Sequence, residues 1–187
     1  MRAKEARIIF AVLVAASFLF AAYVFSAKNE SEKSVLFFAY GANLDSATMK
    51  SRAGGFESVV PARLPGFRLA FQTNRQTEFG VANILPDEQG SVAGALYTLT
   101  KEQIAALDKA AGFPKFYGKK NVKVRTLDGK EIAAVAYSLE GQTEFAAPSR
   151  AYLDAVLKGL ASAGYGKEEE AQVGEAVSKA IEEEAVD

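Results

Sequence analysis

Val35-Leu36-Phe37-Phe38-Ala39-Tyr40-Gly41-Ala42-Asn43-Leu44 is a short apolar run of strand formers that breaks at a glycine. A polar helix is predicted directly after it, over Asp45–Arg52, and Ala53-Gly54-Gly55 ends that helix. An apolar strand that turns at Gly into a helix N-terminus gathers backbone N–H groups at one spot. Such a spot suits a carboxylate, or an oxyanion that develops during a reaction. Strand, Gly turn and helix together are common in α/β chains, so the rest of the sequence must say whether this one is a site.

Downstream, the pattern is mostly strands. Ser58–Gly66 reads as an extended segment into a Pro-Gly turn, followed by a strand over Phe67–Phe71 and a polar loop from Gln72 to Phe79. Gly80–Pro86 is a further strand, closed by a turn at Asp87–Gly90. Ser91–Leu99 is another, and its Gly94 marks a bulge or a close backbone approach. Thr100-Lys101-Glu102-Gln103 is a capping box, and Ile104, Leu107 and Ala111 share one face of the helix it starts. Gly112 and Pro114 stop that helix. Asp128-Gly129 between alternating runs is the strongest hairpin signal in the chain. Pro148–Ala163 is an amphipathic helix with Tyr152, Val156 and Leu160 in line. The pattern is α+β, with a mostly non-parallel sheet able to curl into a small barrel.

Ahead of the domain, Ile8–Ala27 is twenty residues without a charge, enough to span ~30 Å as a helix. Arg2, Lys4 and Arg7 precede it against Glu5 alone, which predicts a cytoplasmic N-terminus with the domain on the extracytoplasmic side. A cleaved signal peptide, giving a secreted or periplasmic protein, is the competing reading, with its only passable site at Val24-Phe25-Ser26. A buried core helix is the third. The expected organisation is an anchor or signal over 1–27, a linker over 28–34, the domain over 35–166 and an acidic C-terminal helix or tail over 167–187. That last segment carries eight acids against two bases and is read as a solvated helix leaning weakly on the domain.

Composition narrows the chemistry. The net charge of −1 gives no electrostatic case for nucleic acid. With no Cys and no His, thiolate nucleophiles, disulfides, Ser-His-Asp catalysis and His- or Cys-ligated metals are excluded. Acid–base chemistry is left to Asp, Glu, Tyr and Lys. The sequence is silent on oligomeric state.

Several separated segments carry a resemblance. Phe38-Ala39-Tyr40-Gly41-Ala42-Asn43-Leu44 looks like the YGSNL signature of the γ-glutamylcyclotransferase family, with Ala42 in place of the usual Ser. Phe79–Ile84 and Val92–Tyr97 resemble the strands that follow it there. Leu107–Tyr117 resembles the LDxxEG-x-P-x-x-Y segment, and Pro148–Leu153 the start of a late helix. Together these run in order from about Val35 to Gln172.

The resemblance implies a compact mixed β-barrel with flanking helices, and a reaction without metal or cofactor. In that reaction the α-amine of a γ-glutamyl group attacks its own γ-carbonyl, giving 5-oxoproline and a free amine or amino acid. It implies that the turn Tyr40, Gly41, Ala42, Asn43 and Leu44 holds a small γ-glutamyl substrate and that a Glu moves the proton. Tyr117, after the helix end and a Pro-containing loop, is a further candidate to hold it; the other reading makes Tyr40 and Tyr117 core aromatics and Asn43 a partner of the turn backbone. The position of the proton-moving Glu is Ala111. Three explanations fit: a non-catalytic relative that keeps the pocket for binding, an altered version of an active enzyme, or another acid in its place. Asp108, one turn earlier, is the first substitute and Glu78 a distant second. Asp108 also has a structural reading, as a hydrogen-bond partner. Arg63 and Arg68 are read either as surface charges or as partners of the glutamyl carboxylate. A membrane-anchored scaffold docking a partner is the alternative from another class.

Overall fold

The first strand, β1 (Ser34–Ala39), is buried from Phe37 onward because it lies inside the sheet, between two others. The computed structural model describes residues 34–74 and 78–185. The expected anchor, its cleavage alternative and nearly all of the linker lie outside them. Among the described residues no helix is long and apolar enough to cross a membrane.

Five more strands follow: β2 (Ser58–Thr73), β3 (Val81–Thr100), β4 (Tyr117–Thr126), β5 (Glu131–Leu139) and the short β6 (Glu144–Phe145). Their order is β3-β1-β5-β4-β2-β6, and β2 also pairs with β3. That second pairing closes β1 to β5 into a small five-stranded barrel, with β6 on the outer edge of β2. The barrel is mixed, as expected. β1 and β5 run parallel at Phe37 and Val135, whereas β2–β3, β2–β4 and β4–β5 are antiparallel. Phe37, Phe38, Leu64, Phe71 and Val124 are buried in the core on the two faces of its sheet.

Local signals gave the right elements where the chemistry is local. The Asp-Gly hairpin joins β4 and β5, with Gly129 at φ 86° and Val124 opposite Ile132. Helix α1 (Ser46–Ala53) is capped by Asp45, and α2 (Lys101–Ala111) by the Thr100–Gln103 box. Helix α3 (Arg150–Ser162) is capped by Ser149.

The reading of β2 and β3 as four short strands needs correction. Pro65 pairs with Ser91 and Phe67 with Pro86, so the expected Pro-Gly turn and the Asp87–Gly90 turn form one bulge. Both strands bend there without parting, which a tightly curved barrel requires. Gly94 is the close approach that its place in a strand suggested. A Cβ on it would lie 2.5 Å from the Ala39 carbonyl oxygen and 2.5 Å from the Phe38 ring.

Helix α4 (Lys167–Glu184) is the acidic segment, and it packs more firmly than a solvated tail. Val173, Ala176 and Ala180 are buried in the common core, with Val177 beside them, in a stripe at helical spacing. Its first turn is tied down as well. The Glu169 carboxylate accepts the Gly166 N–H at 2.9 Å and pairs with Arg63, which lies over the Tyr165 ring. The Gly166 bond holds Glu169 below the usual carboxylate range; burial opposes it, and Arg63 adds to it. A depressed folded pKa gives stability that is full above the unfolded glutamate value and is lost as pH falls through the folded one. Glu169→Gln is therefore expected to cost about 1–3 kcal/mol at neutral pH. Its deficit against the native chain should shrink as pH falls below ~4. Urea melts at pH 7 and pH 3 check both; an equal deficit at the two values would show that the charge is not what holds the helix.

Candidate functional site

After β1 the chain makes a tight turn, Ala42–Leu44, that several elements clamp. The Leu44 N–H donates to the Gly41 carbonyl at 2.8 Å and the Asp45 N–H to that of Ala42 at 3.3 Å. From β3, the Tyr97 hydroxyl donates to the Leu44 carbonyl at 3.0 Å. From α3, Gly159 lies so close that a Cβ on it would meet the Asp45 nitrogen at 2.6 Å. The Asp45 carboxylate accepts from the Thr48 N–H at 2.9 Å and the Thr48 hydroxyl at 2.8 Å, with Lys158 nearby. Burial alone would raise Asp45, but these bonds outweigh it and hold it below the usual range. The turn is thus built before any ligand arrives.

One side of the turn faces a cavity of about 300 Å³. This is the low end of the usual size for small-molecule sites. Tyr40, Gly41, Ala42 and Asn43 form one wall, and Ala110, Ala111, Phe116 and Tyr117 come from the end of α2 and the start of β4. Of the residues expected from sequence, Tyr40, Gly41, Ala42, Asn43, Tyr117 and Ala111 are therefore brought together. Leu44 and Asp108 stand off the wall. The Leu44 side chain is in the core, and only its carbonyl serves the turn.

Asp108 is engaged elsewhere. One carboxylate oxygen accepts from Lys119 at 2.7 Å and the other from the Tyr137 hydroxyl at 2.6 Å. Arg63 and Arg68 line a different cavity, about 500 Å³, between the β2–β3 bend and helices α3 and α4. Glu78 is exposed and on neither wall.

Three residues on the wall had no sequence signal as site residues: Arg52, Tyr137 and Tyr152. Arg52 reads as an ordinary basic residue in a helix's last turn. Its guanidinium donates to the Asn43 side-chain oxygen at 2.7 Å, so the signature Asn orients an arginine. The Tyr152 hydroxyl oxygen accepts the Ala82 N–H at 3.0 Å and also meets the Ala42 amide. The expectation of several free N–H groups at the turn is corrected accordingly. Two of them close the turn, and a tyrosine of this chain takes a third.

The electrostatics of the cavity are simple. Among the described residues that line it, only Arg52 carries a charge. Burial pushes all four hydroxyls, of Tyr40, Tyr117, Tyr137 and Tyr152, above the ordinary phenol value. Neighbouring tyrosines add to the rise at Tyr40 and Tyr117. Asp108 adds to it at Tyr137, and Arg52 opposes it at Tyr117 and Tyr152. All four stay neutral across the physiological range. The cavity offers a guanidinium, phenol groups and an apolar floor of Phe37, Phe38 and Val81. That set fits a small molecule that brings its own carboxylate.

Comparison with known proteins points the same way. Residues 37–154 match the family described as "Gamma-glutamyl cyclotransferase, AIG2-like". The γ-glutamylcyclotransferase of Homo sapiens is 31% identical over 139 residues, covering 71% of this chain and 73% of that protein. The Bos taurus protein of the same name is 30% identical over 145 residues, 73% of this chain and 76% of that one. A solved structure titled "Gamma-glutamyl cyclotransferase" superposes with a TM-score of 0.68 at 31% identity, over 75% of this chain and 86% of its own. YkqA from Bacillus subtilis shares the fold at 22% identity, with a TM-score of 0.69 over 80% of this chain and 56% of its own. The matched segment contains every residue named on the wall of the smaller cavity. The larger cavity is walled partly by α4, outside that segment.

Proposed function

We propose, since this chain belongs to the γ-glutamylcyclotransferase family, that it holds a γ-glutamyl group in the cavity beside Gly41 and Arg52. There it supports the ring closure to 5-oxoproline, at a rate far below that of a member with the Glu. In that reaction the neutral α-amine attacks the γ-carbonyl carbon and a C–N bond forms. A proton passes from the attacking nitrogen to the leaving one, and the old amide C–N bond breaks. Holding the chain folded back on itself supplies much of the rate, because the attack is unimolecular. Moving the proton is the part with no evident owner.

What supports this is that Ala111, the position to which the sequence resemblance assigns the family's Glu, lies on the wall of the cavity. Loss of a general acid/base commonly costs ~10²–10⁴ in rate. Measuring 5-oxoproline release by the full chain from a panel of γ-glutamyl amino acids tests the activity. Turnover at rates typical of the family would refute the slow-enzyme reading. No turnover combined with measurable ligand binding would favour the second reading, a γ-glutamyl-binding module. The absence of any carboxylate among the described wall residues favours that reading too.

Asp108 meets the cavity only through the Tyr137 hydroxyl, so it would serve as a substitute acid by relay. If residual turnover runs that way, Asp108→Asn and Tyr137→Phe should each remove it. Unchanged turnover in both would leave Asp108 with the structural role alone.

The same proposal places the chain on a membrane through Ile8–Ala27, N-terminus inside and domain outside. Its support is the twenty-residue uncharged span and the three bases before it. Fractionation of cells expressing the full chain checks it. Full-length protein that resists alkaline extraction is the expected result, and a shortened soluble product would mean a cleaved signal.

A further inference from the structure

The cavity's charge inventory says more about the ligand than its shape does. Arg52 is the one charged side chain among its described lining residues. The carboxylate bonded to the wall's Tyr137 hydroxyl, Asp108, is already paired with Lys119 at 2.7 Å. The tyrosine hydroxyls are protonated, so none supplies an anion. No anion on the described wall can pair with an ammonium, which leaves it only the weaker attraction of the aromatic faces.

Resting on the assignment of this cavity as the γ-glutamyl site, we propose that it selects ligands that carry a carboxylate but no ammonium. It therefore takes 5-oxoproline, or an N-acylated γ-glutamyl group, ahead of the free γ-glutamyl zwitterion. A guanidinium has five N–H donors in a rigid fork. The bond to Asn43 uses one donor and fixes the plane, which leaves others to grip a ligand carboxylate in a bidentate pair. The two candidate ligands differ at the nitrogen. A lactam or amide N–H is neutral and is satisfied by a phenol oxygen or a carbonyl. An ammonium meets a cavity whose one charged lining residue, the solvent-exposed Arg52, is itself a cation, and it leaves water without gaining an anion. The Glu-to-Ala exchange at 111 thus does more than remove a proton carrier. It takes from the wall the carboxylate that would balance the substrate's amine, and it turns a site for a zwitterion into one for a monoanion.

Calorimetry on the full chain with 5-oxoproline and with γ-glutamyl-alanine, at neutral pH, tests this. The expected result is at least ~10-fold tighter binding of 5-oxoproline. N-acetylation of γ-glutamyl-alanine should close most of that gap. Raising the pH through the amine's pKa should tighten γ-glutamyl-alanine and leave 5-oxoproline unchanged. Arg52→Met should lose both ligands, with Arg52→Lys retaining part of the binding and circular dichroism confirming the fold of each variant. Ala111→Glu should narrow or reverse the preference. Equal or tighter binding of the zwitterion by the native chain would overturn the proposal while leaving the site assignment intact. Failure of both ligands to bind a folded native chain would overturn the site assignment, and the proposal with it.

Discussion

Replacing Ala111 by glutamate is expected to raise 5-oxoproline release from γ-glutamyl amino acids by about 10²–10⁴-fold. The surroundings of that position suit the ring closure. The turn Ala42–Leu44 is clamped by Tyr97, by Gly159 and by the Asp45 cap. Arg52 is oriented, and the cavity is open to a glutamyl-sized group. A glutamate at 111 would sit at the last residue of α2, on the cavity wall. The cost to the helix is small, since an acid near a helix C-terminus is unfavourable by only ~0.3–1 kcal/mol. Partial burial raises the carboxyl's pKa and Arg52 pulls it down, and a value between the two suits a group that must take and return a proton. The gain should appear in kcat, because proton transfer is a transition-state contribution. It should also appear in KM, because the new carboxylate pairs with the substrate's amine. A folded Ala111→Glu protein with no gain in turnover would mean that the chain has lost more than the acid.

The parts of this site that the sequence announced are those built from neighbours along the chain. Tyr40 to Asn43 lie on one turn, and Ala111 and Tyr117 flank one helix end, so a motif holds them together. Arg52, Tyr137 and Tyr152 come from α1, β5 and α3. Packing of β5 and α3 around the turn brings Tyr137 and Tyr152 to it, while Arg52 lies one short helix on and reaches back nine residues to Asn43; no motif records either. The same limit explains the strands. A Pro-Gly pair reads as a turn over nine residues, but in β2 the bend is absorbed by a matching bulge in β3, and pairing resumes at Phe67 and Pro86. In α4 the eight acids of the segment hid a stripe of small apolar residues. Val173, Ala176 and Ala180 bury little area each, yet they let the helix lie close against the barrel. Asp108 had two readings in sequence, as an acid and as a hydrogen-bond partner. Its bonds to Lys119 and Tyr137 occupy both oxygens, and the turnover test above decides whether it also moves a proton.

The second large effect is expected at the glycine of the turn. Gly41 is not in a left-handed conformation; its φ is −111°, so the residue is needed for space and not for backbone freedom. A Cβ placed there would lie 2.6 Å from the Tyr152 hydroxyl oxygen and 3.1 Å from the Ala82 Cβ. Gly41→Ala must push Tyr152 away, which costs about 1–3 kcal/mol of stability. It also strips the Ala82 and Ala42 amides of the oxygen they share. Since both residues line the cavity, ligand binding should fall by ~10-fold or more. Tyr152→Phe removes the clashing atom, at its own cost of about 1–3 kcal/mol for the amides left without a partner. The two changes share one contact, so their costs should not add. The double variant is expected to be at least ~1 kcal/mol more stable than the sum of the single losses predicts. Urea melts of the four proteins, with 5-oxoproline titrations alongside, measure that coupling. Strictly additive losses would show that Gly41 makes room for something other than Tyr152. Coupling in stability without recovery of binding would show instead that the Tyr152 oxygen itself holds the ligand, bridging it to the backbone amides of Ala42 and Ala82.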